Sequence, residues 1–167
     1  PKCGTTAMNA FLAAHPEMYM AKRKESHFFA TDMPGTEHLR DPAGFNALFS
    51  GVENEKRIGE SSVWHLASTE AARNIWQFNP NAQIVVMLRN PVKMIPSLHS
   101  YLIFAGYEDV RDLRCALDLE SQRLEGRHLP KNVPVPMQLQ YRNAAAYAAQ
   151  ISRYYELFGR ERVHVII

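Results

Sequence analysis

Only two cysteines occur in 167 residues, Cys3 and Cys115, and they lie far apart. That excludes a disulfide framework and any CxxC redox or zinc pair. No apolar run approaches the ~20 residues of a membrane-spanning helix. No charged stretch followed by an apolar one is visible as a signal peptide, and the expected location is cytoplasmic, or the Golgi lumen for a eukaryotic fragment. Net charge is also scarce. A formal +2 is too small to argue for nucleic acid as the main partner, while a local positive field around an anionic ligand stays open. The seven histidines include no HExxH and no other tight ligand pair, so no metal site is expected. The glycine-lysine-threonine order of the nucleotide triphosphatases is missing as well, with no obvious magnesium aspartate.

What is present is a globular balance: 46% hydrophobic and 22% charged residues, in a length that suits one domain with a real core. Apolar spacing predicts a helix over 5–14, ended by His15-Pro16. Asp41-Pro42 reads as an N-cap and first helical residue, starting a short helix towards Phe49. Residues 57–61 form a strand candidate, and Ser68 caps a helix running to Trp76. Residues 83–88, QIVVML, are a continuous β-branched run that suits a central parallel strand covered on both faces. Helices are expected over 91–104, 109–124 and 144–158. A loop over 127–140, with three of the ten prolines, separates the last two. A final strand is expected over 162–167. Strands alternating with helices imply an α/β fold, three layers around a parallel sheet. Ligands in such folds bind beyond the carboxyl ends of the strands. The Gly4-Thr5-Thr6 loop, Glu60-Ser61-Ser62 and Arg89-Asn90-Pro91 all fall at that edge.

Three groups of residues there carry chemistry. Lys2-Cys3-Gly4-Thr5-Thr6 sets a cation, a permissive glycine and two hydroxyls at a helix N-terminus, where free N–H groups favour an anion. Threonine is equally an ordinary N-cap, and Cys3 equally a small residue in a tight turn. Arg89 leaves the buried strand, and Ser97 sits about two turns into the next helix. An arginine fork and a hydroxyl suit a terminal phosphate, but an arginine paired with an acid and an exposed serine would look the same. Lys24-Glu25-Ser26-His27-Phe28-Phe29 places a carboxylate beside an aromatic pair, whose partial desolvation favours a general base. A solvated loop acid is the alternative. Lys22-Arg23-Lys24 reads as a solvated basic face or as an attraction for an anionic acceptor. His65 and His99 read as packing or surface residues.

Together these segments resemble the sulfotransferases that use 3′-phosphoadenosine 5′-phosphosulfate (PAPS), in their bacterial and heparan-sulfate-like branch. Pro1 to Thr6 resembles the 5′-phosphosulfate loop. Arg89-Asn90-Pro91 through Ser97 resembles the 3′-phosphate motif. Residues 24–29 resemble the lysine-glutamate-x-histidine-phenylalanine-phenylalanine segment, and residues 147–167 a tyrosine-bearing helix and strand. The resemblance spans nearly the whole chain, and motif order and spacing make it specific. It implies a P-loop-like nucleotide-binding fold, PAPS as donor, PAP as product and no metal. It assigns the loop Lys2, Cys3, Gly4, Thr5 and Thr6 to the phosphosulfate, and Arg89 and Ser97 to the 3′-phosphate. Glu25 would be the general base, Lys2 would stabilise the leaving phosphate, and His27 would line the acceptor site. The acceptor would be a hydroxyl or amine of a carbohydrate or small molecule.

Some positions depart from the pattern. Ala30 stands where some glycosaminoglycan enzymes carry an aspartate, and Glu60-Ser61-Ser62 where relatives carry a lysine or a lysine-threonine-histidine. This weakens a heparan-type acceptor. His128-Leu129-Pro130 matches a cytosolic motif out of order and reads as coincidence. The resemblance further implies one domain over 1–167 that lacks an apolar strand before Pro1 and a segment after Ile167. The competing readings are a small P-loop kinase and an inactive nucleotide-binding module.

Overall fold

A computed structural model describes residues 1–33, 35 and 39–167. Helix α1 (Thr5–Ala13) matches its expected span, with Ala14 as C-cap. Strand β1 (Met18–Met20) follows. It then reaches α2 (Pro42–Ala47), whose N-cap Asp41 accepts from the Ala43 and Gly44 N–H groups. Strand β2 (Arg57–Gly59) pairs parallel with β1, Met18 opposite Arg57. After α3 (Ala71–Phe78), strand β3 (Ile84–Met87) pairs parallel with β4 (Val163–Ile166), Ile84 opposite Val163. The N-cap of α3 is Glu70 and not Ser68, which lies two residues earlier with its hydroxyl accepting from the Glu70 and Ala71 N–H groups, and the helix runs two residues beyond Trp76.

Parallel pairing demands long crossovers. Between β3 and β4 run α4 (Pro91–Phe104), α5 (Leu113–Asp118), α6 (Glu120–Leu124), α7 (Tyr141–Ala144) and α8 (Tyr147–Phe158). Asn90 caps α4 by accepting from Val92 N–H, and Pro91 sits where a missing N–H costs nothing. Met94, Leu98 and Leu102 recur every four residues on one face and are fully buried. Each such burial is worth about 1.5–3 kcal/mol. They join Phe29, Phe45, Trp64 and Leu139 in the larger core. A smaller core lies between β3–β4 and helices α3 and α8, through Val86, Val163, Ala72, Ile151 and Phe158, and Ile75 and Tyr147 touch both.

Several expectations need correction. The strand over 83–88 is covered on one face only: Val86 is buried against α3 and α8, while Val85 on the other face is 49% exposed. Among the described residues β3 pairs with β4 alone. The helix over 109–124 becomes two. The Asp109 and Val110 N–H groups donate to the Glu108 carboxylate at 3.0 and 2.9 Å, and Asp112 starts α5 by accepting from Cys115 N–H. The helix over 144–158 is interrupted before Tyr147. There the Gln150 amide takes the Asn143 carbonyl at 2.6 Å, the acceptor a continuous helix would have offered to Tyr147. The loop over 127–140 includes a 3-10 turn, Pro136–Leu139, and β1 had no sequence signal.

One polar cluster ties these crossover helices together. Arg123 donates two 2.7 Å bonds to the Glu108 carboxylate, and Tyr141 donates a third at the same distance. Both charged side chains are completely enclosed. Burial opposes ionisation of Glu108, but the bonds from Arg123, Val110 and Tyr141 hold its pKa below the ordinary carboxylate value.

Candidate active site

The first wall of the site is the loop entering α1. Gly4 is its N-cap at φ 80°, a left-handed conformation that glycine adopts without penalty. Space does not demand the glycine, since an added Cβ would meet only Met87 Cε at 3.6 Å. No side chain caps α1 and no acid lies in its first turn. The first intrahelical bond runs from Met8 N–H to the Gly4 carbonyl. The N–H groups of Thr5, Thr6 and Ala7 therefore lack intrahelical partners. Lys2, at φ 57°, lays its ammonium over the Tyr101 ring, 4.9 Å from the centroid. Arg89 reaches back across 87 residues to donate to the Lys2 carbonyl at 3.3 Å. Ser97 is half-buried on α4, four residues before Tyr101 and so on the same helical face.

Cys3 turns its thiol inward. It donates to the Pro1 carbonyl at 3.0 Å and packs against the larger core. Burial, with the neighbouring Cys3 thiol adding to it, pushes the Tyr147 phenol up to about 12.

The second wall is the turn of residues 24–28. Glu25 and His27 both hold left-handed backbone, at φ 64° and 50°. Lys2, Glu25 and His27 are three of the four non-glycine residues with positive φ among those described, the other being His128. Such strain persists only where the surroundings over-determine it, and it gathers at functional sites. Here the surroundings are dense. Glu25 N–H donates to the Ser61 carbonyl at 2.9 Å and its Oε2 accepts from Val63 N–H at 2.8 Å. The same oxygen lies 3.3 Å from His27 Nε2, and Lys24 pairs with Oε1. The Arg40 guanidinium donates to the carbonyls of His27 and Ala30, both at 2.8 Å, and of Met33 at 3.0 Å. Phe28 stacks on Phe45 with centroids 4.1 Å apart.

The two walls share a neighbourhood. Burial lowers the Lys24 pKa, opposed by the Glu60 carboxylate. Cys3 and Phe28 pack against one common core.

No family model matches the chain. A solved sulfotransferase from Alicyclobacillus acidocaldarius superposes with a TM-score of 0.87 at 32% identity, over 99% of this chain and 68% of that one. The chain belongs to the sulfotransferases. Two curated relatives agree. The membrane-associated sulfotransferase kil1 of Dictyostelium discoideum is 27% identical over 103 residues, 61% of this chain and 21% of that protein. Human carbohydrate sulfotransferase 15 is 28% identical over 152 residues, 64% of this chain and 26% of that protein. The chain thus spans about a fifth to a quarter of the length of these curated relatives.

In this sulfotransferase chain the structure brings Lys2, Gly4, Thr5, Thr6 and Arg89 to one place and sets Glu25 with His27. Ser97 shares a helix face with the residue under Lys2. Sequence reasoning gave no role at the site to four residues, although it set Glu60 at the strand edge and read His65 as a packing or surface residue. Tyr101 carries the Lys2 ammonium, and Arg40 gathers the carbonyls of the Glu25 turn. Glu60 and His65 stand beside that turn, His65 buried with its Nδ1 3.5 Å from Glu60 Oε2. Its ring centroid is 6.1 Å from that of His27. The available signal was the small polar stretch after β2, already placed at the strand's carboxyl end. His99, by contrast, is a packing residue as expected, bonded to the Val110 carbonyl at 2.8 Å. Among the described residues no group of three or more histidines, cysteines or acids is arranged to hold a metal, and no helix is long and apolar enough to cross a membrane.

Proposed function

We propose that the protein transfers the sulfonate group of PAPS to a hydroxyl or amine of an acceptor, releasing PAP. The observation that carries this reading is the meeting of the Lys2–Thr6 loop with Arg89, next to a buried turn that presents Glu25. The residues fit the donor. An uncapped helix N-terminus with a lysine beside it suits the 5′-phosphosulfate, and a guanidinium suits the 3′-phosphate. Thr5, Thr6 and Ser97 add hydroxyls, and Cys3 contributes through its backbone, its thiol being turned away.

In the reaction the acceptor oxygen or nitrogen forms a bond to sulfur as the bond from sulfur to the phosphate oxygen breaks. Glu25 takes the acceptor proton, and His27 beside it orients the carboxylate and lines the acceptor side. The electron pair of the broken bond stays on the phosphate, where Lys2 and the loop N–H groups stabilise the growing charge. Holding donor and acceptor in line supplies much of the remaining acceleration. A carbohydrate acceptor is supported by the likeness to a carbohydrate sulfotransferase, and a small-molecule acceptor would use the same chemistry.

Calorimetric titration with 3′,5′-ADP, AMP and ATP tests the donor assignment. A clear preference for 3′,5′-ADP is expected, and equal or tighter binding of ATP with magnesium would point to a kinase instead. An acceptor screen with radiolabelled PAPS then tests transfer. Normal turnover by Lys2→Ala would remove that lysine from the assigned role.

A further inference from the structure

One carboxylate outside the donor loop and the base turn stitches that turn in place. Glu60 Oε1 accepts from Ser26 Oγ at 2.7 Å and also from Ser62 Oγ. Ser62 Oγ in turn accepts the His27 N–H at 3.0 Å. Glu60 Oε2 faces His65 Nδ1. The carboxylate therefore holds the fully buried side chain between Glu25 and His27 and, through Ser62, the backbone of His27 itself. Glu25 and His27 are the residues on either side that carry left-handed backbone. Left-handed backbone at a non-glycine residue is strained and relaxes unless held. A merely space-filling acid would have no reason to bond both hydroxyls that flank this strain.

We propose that Glu60 is a positioning residue: with Ser26, Ser62 and His65 it forms a buried clamp that keeps Glu25 and His27 in left-handed backbone and so aims the Glu25 carboxylate. What the aimed carboxylate does rests on the sulfonate-transfer reading; the clamp does not. The clamp makes the polar stretch after β2 part of the acid-base machinery, although it supplies neither lysine nor base.

Two substitutions separate the possibilities. Glu60→Leu removes the acceptor at similar volume, whereas Glu60→Gln keeps an oxygen for both serines. Glu60→Leu should lower kcat about 10–100-fold, the scale of a misplaced catalytic group, with donor KM and 3′,5′-ADP affinity unchanged. Glu60→Gln should recover most of that loss. Amide hydrogen exchange at Glu25 and His27, and the ring resonances of 15N-labelled His27 and His65, need no turnover. Both should change in Glu60→Leu and stay near wild type in Glu60→Gln. Should Glu60→Leu not fold, Ser62→Ala cuts the Ser62 bonds to Glu60 and to the His27 N–H while keeping the Ser26–Glu60 bond, and should speed His27 exchange while lowering kcat less. The clamp is refuted if exchange at Glu25 and His27 is unaltered, or if 3′,5′-ADP binding is lost in step with kcat. Altered exchange in a protein whose wild type transfers no sulfonate would keep the clamp and reject the transferase reading.

Discussion

The two walls of the site are built by opposite means. The donor wall is sparser: besides the Cys3 thiol's bond to the Pro1 carbonyl it shows a 3.3 Å bond from Arg89 to a carbonyl, and an ammonium resting on an exposed ring. The base wall is saturated, with two strained residues held by backbone, carboxylate, guanidinium and aromatic contacts. On the proposed reading, the contrast teaches which part needs its geometry fixed in advance. A polyanionic donor brings its own strong acceptors, and flexible cations close on it at modest ordering cost. A carboxylate that must meet one proton gains most from being held still.

The largest effect should come from breaking the base wall. Glu25→Gln is expected to lower kcat about 10²–10⁴-fold while leaving 3′,5′-ADP affinity within about twofold, because only a transition-state interaction is removed. Rate assays and calorimetry on the same preparation check this, and equal losses in both would erase the distinction between the walls. Arg89→Ala tests the donor wall. Loss of a charge-assisted contact of about 1.5–3 kcal/mol should weaken 3′,5′-ADP roughly 10–150-fold, with 5′-AMP binding little altered. A smaller change is expected of Tyr101→Leu, which removes a cation–π contact of about 0.5–1 kcal/mol. Donor KM should rise some two- to fivefold and Tyr101→Phe should restore it, as steady-state kinetics would reveal.

The smallest effect concerns the seam behind the donor loop. The Tyr147 phenol titrates near 12 in the fold, above its ordinary value of 10.0. A group raised in this way contributes stability in full below pH 10, and the contribution drains away as pH rises through 12. Tyr147→Phe should therefore change thermal stability little at neutral pH and flatten its decline in that alkaline window. Melting curves between pH 8 and 12 would show it. An unchanged slope would place the phenol outside the seam.

Much of this was legible in the sequence because it is local. The β-branched run of β3, the Asn90-Pro91 start of α4 and the glycine before α1 each act on neighbours a few residues away. Strand β1 is three residues long and carries no alternation to read. The exposure of Val85 was not readable either, because an apolar run does not say how many of its faces find partners. The break before Tyr147 depends on where one glutamine side chain turns. Glu60 and Ser26 are 34 residues apart, Arg89 and Lys2 87 apart. No spacing rule anticipates such pairs, and the strain they hold at Lys2, Glu25 and His27 is visible only in the backbone.

The enclosed pair of Glu108 and Arg123 has a consequence for the history of the chain. Removing either partner alone would strand a buried charge, at a cost of about 3–5 kcal/mol, a large part of a small domain's total stability. Exchanging both for well-packed apolar residues can be neutral. Descent through single substitutions therefore meets a valley between two viable states. The two positions should drift together or not at all, while Tyr141, which can lose its hydroxyl at lesser cost, remains free to vary first.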